Sequence, residues 1–341
     1  MSNDDYFSLV PWTSIYIKPD GNAYPCESVG WKGDEFCVGN IKNNTFEEMW
    51  NHRVYKEMRL KVINTKTCDV DDKLTIGCTY LQNRSLYNND LNFYKENTSI
   101  DGTFNFNLKR ILLERSNICN LTCVYCTPES STSWASKLKT KSQVRISDDV
   151  YWSRLEHILP NLTEINISGG EPTLDPFNEE LIDKLIEIKN FIDINLSTNL
   201  TYDINKKQTF FTKLTKFPTT IYCSVDATGD TFNTIREGSD WDLVFKNLKI
   251  LSTFNFKIAF NTVISTLNCF NIKEFHEFLI ANKLADIDTI RLVPLMSPEF
   301  LSIKSLSNTN KIKLVSYLLN YIIFLKTKEE EKIKTIIFLL I

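Results

Sequence analysis

Three cysteines on one short stretch constrain this chain more than any other feature of its sequence. Cys119, Cys123 and Cys126 follow a C-x3-C-x2-C pattern, directly after an apolar run, Ile111–Leu113, that predicts a strand. Three thiolates can bind three irons of a four-iron, four-sulfur cube, and the lack of a fourth nearby cysteine leaves one iron open to an outside ligand. On the triplet alone a zinc knuckle or chance clustering stays an alternative, although zinc sites usually supply four ligands.

A second motif follows the cysteines and closes another predicted strand. Residues 168–172 have the sequence Ser-Gly-Gly-Glu-Pro, after the strand Glu164–Ile167 and before a helix that begins near Phe177. With both motifs in this order, the sequence resembles the radical S-adenosylmethionine (AdoMet) superfamily. In that family the three-cysteine loop follows the first barrel strand and a GGEP-type motif ends the second. The resemblance implies a 4Fe-4S cluster on the three cysteines, with AdoMet chelating its open iron.

The resemblance also implies a set of residues that bind AdoMet. The implied contacts are Ser168, Gly169, Gly170, Glu171 and Pro172 for the methionyl ammonium, Ser197 and Asn199 for the ribose, Ser224 and Arg236 for the methionyl carboxylate, and Tyr125 for the adenine. The guanidinium group of an arginine suits a carboxylate partner. From the residues alone, strand-end capping stays open for the three polar strand residues, and a surface salt bridge stays open for Arg236.

The chemistry that this resemblance implies is reductive. One electron delivered through the cluster cleaves the sulfonium to methionine and a 5′-deoxyadenosyl radical, which abstracts hydrogen from a substrate carbon. In such an enzyme the cofactor carries the difficult step, while the protein positions the substrate and excludes water.

The chain from Leu108 onward alternates strand-like and helix-like runs. Six βα units predict an α/β fold with a parallel sheet, and right-handed crossovers would curl it into a partial (β/α)6 TIM-like barrel. The predicted strands are Arg110–Arg115, Glu164–Ser168, Asp193–Asn199, Thr219–Asp226, Phe256–Ser265 and Asp288–Leu295. The predicted helices are Ser147–Leu159, Asn178–Asn190, Gln208–Phe217, Trp241–Phe254 and Ile272–Leu284.

Polar residues alternate with apolar ones along these strands. Asp193, Asn195, Ser197 and Asn199 share one face of a strand, because successive side chains point to opposite sides. The apolar face must meet the helices, so we expect the polar face to line the barrel interior. Ligands of βα barrels bind at the carboxyl ends of the strands, which makes this face a candidate ligand cavity.

The first hundred residues predict a separate small α+β module. A hairpin with a turn at 18–21 precedes Cys26, and Thr45 and Glu48 form a capping box for a helix that reaches about Leu60. The module resembles the auxiliary-cluster (SPASM or twitch) domains of radical AdoMet enzymes. The residues that carry this resemblance are Trp12, Asp20-Gly21, Pro25-Cys26, Gly39-Asn40-Ile41 and Glu47 to Trp50.

Two features of the module depart from that family pattern. It precedes the barrel in sequence, whereas such domains usually follow it, and nine residues separate Cys68 from Cys78. The resemblance implies that Cys26, Cys37, Cys68 and Cys78 hold one auxiliary iron–sulfur cluster. A structural zinc and a metal-free fold stay open as alternatives.

These observations predict three parts of the chain. They are residues 1–98, the SPASM/twitch-like module with its linker; residues 99–300, the radical AdoMet partial barrel; and residues 301–341, the C-terminal helices. Residues 83–107 are rich in Asn, Tyr and Ser and predict an irregular linker. The apolar segment Leu314–Leu325 is too short to span a bilayer and predicts a packed helix. The apolar run 336–341 leaves open whether the chain is truncated or docks on the barrel.

Composition limits the partners and the compartment. The net charge of −3 gives no indication of nucleic acid or a membrane surface. Nine cysteines without a secretory signal predict a reducing, cytoplasmic setting and metal binding. As partners we expect a low-potential electron donor of the flavodoxin or ferredoxin type and a substrate.

Three functions follow from these patterns. The leading hypothesis is a maturase that modifies a peptide or protein side chain, because SPASM and twitch proteins typically do so. The second is a small-molecule or nucleotide-derived substrate, since no appended peptide-recognition segment is evident. The third, of another class, is a non-catalytic iron–sulfur protein that binds a partner or transfers electrons.

Overall fold

The computed structural model describes residues 6–65, 81–142, 145–286 and 289–325, and confirms the α/β fold class. In these residues nine strands form one mixed sheet, and two more strands form a separate antiparallel pair. The strands are β1 Tyr6–Ser8, β2 Ser14–Ile17, β3 Asn22–Tyr24, β4 Gly39–Asn40, β5 Leu81–Asn83, β6 Arg110–Glu114, β7 Glu164–Ser168, β8 Asp193–Thr198, β9 Thr219–Ser224, β10 Lys257–Ile264 and β11 Ile290–Pro294.

Helices alternate with the strands from β6 onward, as the sequence pattern predicts. The helices are α1 Val10–Thr13, α2 Glu27–Gly30, α3 Phe46–Trp50, α4 Arg53–Thr65, α5 Arg84–Asn97, α6 Thr132–Leu138, α7 Asp148–Leu155, α8 Pro176–Glu187, α9 Gln208–Leu214, α10 Gly229–Ile235, α11 Trp241–Leu251, α12 Ile272–Ala281 and α13 Asn308–Leu325. No helix in the described ranges combines the length and the apolar character needed to cross a membrane.

The chain divides into two compact units. The first unit comprises Met1–Ser116, Gln143–Gly169 and Asp183–Asp193, and the second comprises Asn117–Ser142, Gly170–Ile182 and Ile194–Ile341. In the second unit β8, β9, β10 and β11 are parallel neighbours. A core that includes Ile264 and Leu318 lies in this unit.

The first unit joins the N-terminal hairpin to the first barrel strands. β2 and β3 pair antiparallel around a turn at Gly21, which has a φ of +86°. The other edge of β2 pairs in parallel with β6, so that Tyr16 lies opposite Leu112, and β6 pairs in parallel with β7. The strand order in this unit is therefore β4-β3-β2-β6-β7, and the N-terminal module extends the barrel sheet.

Helix starts agree with the capping signals in part. The capping box of Thr45 and Glu48 is present, with both reciprocal hydrogen bonds formed. Ser147 occupies the N-cap position of α7, but its side chain makes no capping hydrogen bond. Acidic residues in the first turn of α7 still favour its N-terminus through the helix dipole.

The prediction of an irregular linker over residues 83–107 is wrong for most of its length. Residues Arg84–Asn97 form α5, whose Leu91 is buried in a cluster with Trp12, Val62 and Phe104. Tertiary packing of this apolar stripe outweighs the weak helix propensity of its asparagines. The predicted single helix from Thr45 to Leu60 is likewise two helices, α3 and α4.

Arg59 lies fully buried at the centre of the first unit. Its guanidinium donates to the carbonyl oxygens of Pro11, Trp50 and Gly102 and to Oδ1 of Asn51, at 2.8–3.2 Å. One cation thus joins α4 to three other segments of the chain. Buried polar groups are stable only when their hydrogen bonds are satisfied, so these acceptors depend on Arg59.

Replacing Arg59 should destabilise the protein severely. We expect Arg59→Leu to lower the free energy of unfolding by roughly 3–5 kcal/mol, because several buried acceptors lose their donor at once. The matched control on the same helix is Arg53→Leu, whose ion pair with Glu57 is exposed and should be worth less than about 1 kcal/mol. Urea unfolding under anaerobic conditions measures both, and equal losses in the two variants would contradict the prediction.

Candidate metal and cofactor site

The three-cysteine loop lies in the second unit and is held by the start of α6. Ser131 Oγ donates to the carbonyl of Leu121 at 2.6 Å, and Trp134 Nε1 donates to the carbonyl of Cys123 at 2.9 Å. Ser133 Oγ donates to the carbonyl of Cys119 at 2.8 Å. The loop carbonyls are therefore satisfied from one side, and the loop keeps a fixed path without regular secondary structure.

The three thiols lie within electrostatic reach of one another. The Cys123 thiol hydrogen-bonds to the Cys126 sulfur, which raises the pKa of Cys123 and lowers that of Cys126. Burial raises the pKa of Cys119 to about 11, and the neighbouring Cys123 adds to this rise. Binding iron requires thiolates, so iron and protons compete for these sulfurs.

The glycines of the second motif allow two stretches of backbone to meet. The amide of Glu171 donates to the carbonyl of Ile118 at 2.6 Å. A Cβ on Gly170 would lie 2.3 Å from the same carbonyl oxygen, so no larger residue fits there without a backbone shift. Gly169 has a φ of +113°, and a Cβ on it would lie 2.6 Å from the carbonyl oxygen of Ser116. Both glycines are required by close approach to the chain just before Cys119.

The carboxylate of Glu171 is buried and bound by protein donors. It accepts the backbone amide of Asn199 at 2.7 Å, the Thr198 hydroxyl at 3.0 Å, and both the amide and the hydroxyl of Thr173. Burial raises the pKa of Glu171, and these donors oppose that rise. The sequence-based expectation directed this carboxylate at the methionyl ammonium. In the structure this carboxylate joins the second motif to the end of β8, and its contact with the methionyl ammonium stays a prediction.

Asn199 connects the end of β8 to the cysteine loop. Its Nδ2 lies 3.1 Å from Oδ1 of Asn120 and 3.9 Å from the sulfur of Cys119. Ser197 and Ser224 are partly exposed within β8 and β9, next to buried Leu196 and Cys223. This alternation is the one predicted for a polar inner face. Ser168 is partly exposed on β7, and Pro172 is buried at the start of a short 3-10 turn.

Tyr125 and Arg236 meet on one buried carboxylate. Oδ2 of Asp226 accepts the Tyr125 hydroxyl at 2.6 Å and Nε of Arg236 at 2.8 Å. Arg236 is only 7% exposed, so its ion pair is buried and the surface salt bridge considered for it is excluded. The guanidinium also lies 5.7 Å from the centre of the Tyr125 ring, within cation–π distance.

The structure describes two of the four predicted ligands of the auxiliary cluster, Cys26 and Cys37. Cys26 is buried at the start of α2, and Cys37 is half-buried with its thiol 3.2 Å from the carbonyl of Gly39. Cys68 and Cys78 lie outside the described residues. Both described cysteines belong to the first unit.

The residues present fit an iron–sulfur cluster by their chemistry and their surroundings. The three thiols stand on one loop, and the glycine turn packs against the backbone that leads into it. Within the described ranges no three His, Cys, Asp or Glu side chains are grouped as ligands of a single metal ion. The three thiols of the loop can supply one thiolate to each of three irons of a cube.

Two family models match this chain. Residues 113–279 match the radical SAM superfamily, and residues 9–73 match SPASM, described as an iron–sulfur cluster-binding domain. The first match contains the three cysteines and the Gly-Gly-Glu-Pro turn. The second contains Cys26, Cys37 and Cys68, and it precedes the first in the chain.

Three curated relatives are 24–29% identical to this chain over the aligned residues. An uncharacterized protein of Methanocaldococcus jannaschii, MJ0907, is 24% identical over 65% of this chain and 76% of its own length. Molybdenum cofactor biosynthesis protein 1 of Dictyostelium discoideum is 29% identical over 58% of this chain. A GTP 3′,8-cyclase of Thermodesulfovibrio yellowstonii is 28% identical over 28% of this chain. The chain spans 30% and 29% of the lengths of the last two proteins.

Solved structures show similarity at lower identity. The enzyme anSMEcpe with bound AdoMet matches 63% of this chain and 59% of its own, with 20% identity and a TM-score of 0.48. SuiB of Streptococcus suis bound to the precursor peptide SuiA matches 70% of this chain and 50% of its own, with 19% identity and a TM-score of 0.47.

Three residues of this site were not predicted from the sequence as functional residues. Thr198 and Asp226 bind the two buried charged side chains Glu171 and Arg236, and Trp134 fixes the carbonyl of Cys123. Asp226 ends a polar stripe on its predicted strand, which was a usable signal. Thr198 belongs to the opposite, apolar face of β8, and nothing local indicates its partner.

Adding a single methyl group at Gly170 should prevent assembly of this site. We expect Gly170→Ala to separate the second motif from the cysteine loop, because the new Cβ would overlap the Ile118 carbonyl. The cost should be about 1–3 kcal/mol in unfolding free energy, with loss of iron on anaerobic reconstitution. Gly229→Asn is the control, since a Cβ there has no neighbour within 4 Å and asparagine tolerates its φ of +57°. Full iron content in Gly170→Ala would contradict this.

Proposed function

Because the chain belongs to the radical SAM superfamily and carries an SPASM domain, we propose that it cleaves AdoMet reductively and modifies a peptide or protein side chain. Family membership implies a 4Fe-4S cluster and AdoMet, and the SPASM domain implies auxiliary iron–sulfur clusters. When bound, these groups supply the electron that breaks AdoMet and the 5′-deoxyadenosyl radical that abstracts hydrogen from the substrate.

One observation carries the AdoMet part of this proposal. The Gly-Gly-Glu turn and the loop with three cysteines share a backbone hydrogen bond, from the Glu171 amide to the Ile118 carbonyl, at 2.6 Å. The two motifs on which the resemblance rests are therefore neighbours in space. A loop with three cysteines and no fourth leaves one iron for the substrate, as AdoMet cleavage requires.

The residues around the loop take the following roles in the proposal. Cys119, Cys123 and Cys126 hold the cluster, and the backbone of residues 168–172 binds the methionyl ammonium. Glu171 itself keeps that turn in place, because its carboxylate is buried among the donors of Thr173, Thr198 and Asn199. Ser197 and Asn199 contact the ribose, Ser224 and Arg236 the methionyl carboxylate, and Tyr125 the adenine.

The SPASM match supports a peptide or protein substrate. Cys26, Cys37, Cys68 and Cys78 are the proposed ligands of an auxiliary cluster in that module. Such a cluster would accept an electron from the product radical or bind the substrate. A low-potential donor of the flavodoxin or ferredoxin type would supply the initial electron, in the cytoplasm.

A second candidate is a small-molecule or nucleotide-derived substrate. It is favoured by the curated relatives, which include a GTP 3′,8-cyclase and a molybdenum cofactor biosynthesis protein. Stimulation of 5′-deoxyadenosine formation by GTP, with no stimulation by peptides, would favour this candidate.

Reductive cleavage of AdoMet is the direct test of the proposed activity. We expect anaerobically reconstituted protein with dithionite to form 5′-deoxyadenosine and methionine, measured by liquid chromatography and mass spectrometry. Cys123→Ala should reduce this to background because one iron loses its thiolate, whereas Cys223→Ala, which removes a buried thiol that is not a proposed ligand, should retain it. A protein that holds a cube yet forms no 5′-deoxyadenosine would be an electron carrier or binding protein instead.

Iron and sulfide counts test the auxiliary cluster. We expect the wild-type protein to hold more iron than one cube, and Cys26→Ala to lose the excess while retaining the AdoMet-binding cluster. Cys68→Ala should behave in the same way, because each change removes one proposed ligand. Cys269→Ala is the control, since this thiol is buried in the barrel core. A wild-type content of one cube would remove the auxiliary cluster from the proposal.

A further inference from the structure

A short segment after α10 runs beside the three-cysteine loop. The amide of Thr122 donates to the carbonyl of Glu237 and the amide of Val124 to that of Ile235, both at 2.9 Å. The two acceptors are the residues directly before and after Arg236, so these backbone bonds fix the position of Arg236 beside the loop. The cation lies next to the turn that carries Cys123 and Cys126.

Asp226 receives three donors from three different parts of the second unit. Oδ2 accepts Tyr125 and Arg236, while Oδ1 accepts the backbone amide of Val263 in β10 at 2.8 Å. The side chain of Asp226 is fully buried. The backbone carbonyl of Asp226 also accepts a hydrogen bond from Nδ2 of Asn268, so both the side chain and the backbone of Asp226 are held by hydrogen bonds.

The two buried charges act on the cysteines in opposite directions. Nε of Arg236 lies 2.8 Å from Oδ2 of Asp226, and the residues on both sides of Arg236 are hydrogen-bonded to the backbone of the loop. Water is excluded from the pair, so neither charge is screened as it would be at the surface. While both are present, the carboxylate offsets part of the field of the cation at the loop.

We propose that Asp226 is a positioning residue for the three-cysteine loop. It binds the hydroxyl of Tyr125, which lies between two of the proposed ligands in the sequence, and it offsets the charge of Arg236. This inference rests on the proposed function, because it concerns the cluster that the loop would hold. Its consequence is a low reduction potential, since a nearby uncompensated cation would stabilise the reduced, more negative cluster. A low potential is what reduction of AdoMet requires of the electron donor.

The reduction potential of the cluster tests this directly, without AdoMet or substrate. The midpoint potential would be measured by anaerobic titration with dithionite, followed by EPR, on full-length reconstituted protein. We expect Asp226→Asn to raise the potential, and Arg236→Gln to lower it because the buried carboxylate is left unopposed. The double variant Asp226→Asn, Arg236→Gln should return towards the wild-type value. Asp230→Asn, an exposed carboxylate on α10, is the matched control and should change nothing.

Iron content decides how each result is interpreted. An Asp226→Asn protein that keeps its iron but has the wild-type potential would overturn the proposal. Where that variant loses iron, Arg236→Gln decides the question, and an unchanged potential in Arg236→Gln would also overturn the proposal. Failure of the proposed function looks different, because the wild-type protein would then hold no AdoMet-cleaving cluster at all.

Discussion

The hydrogen bond from the Glu171 amide to the Ile118 carbonyl is the interaction on which the candidate site depends. It joins two motifs that lie more than forty residues apart in the chain, and it forms only because Gly170 has no side chain in the way. The sequence requirement for glycine is thus steric. This contact also positions the end of β8, because the buried Glu171 carboxylate accepts the Asn199 amide.

Two buried carboxylates, Glu171 and Asp226, perform the same physical task at the candidate site: Glu171 joins the second motif to the end of β8, and Asp226 joins the loop to Arg236. Each accepts hydrogen bonds from several protein donors in different segments of the chain. A buried carboxylate is costly unless fully hydrogen-bonded, so each one penalises any displacement of its donors. Holding these segments in place in this way reduces the entropy that binding of a cofactor must cost.

The N-terminal module is joined to the first barrel strands by strand pairing, although it precedes them in the chain. Its hairpin strand β2 pairs in parallel with β6, the strand that leads into the three cysteines. A SPASM match placed ahead of the radical SAM match is therefore part of the same sheet as the first barrel strands. On the polar side of this junction the Tyr16 hydroxyl donates to Glu114 at 2.8 Å, and burial raises the pKa of Glu114 to about 7.

The amino-acid sequence by itself determined the strands, the two motifs and the alternation of polar and apolar faces, because these depend on local spacing and on period-two burial. It could not determine α5, whose asparagine-rich segment becomes helical only when Leu91 packs with Trp12. It also could not show that Glu171 and Arg236 would be bound by Thr198 and Asp226. Thr198 lies 27 residues from Glu171 and Asp226 lies 10 residues from Arg236, so no local spacing pattern predicts these pairs and only the tertiary structure brings them together.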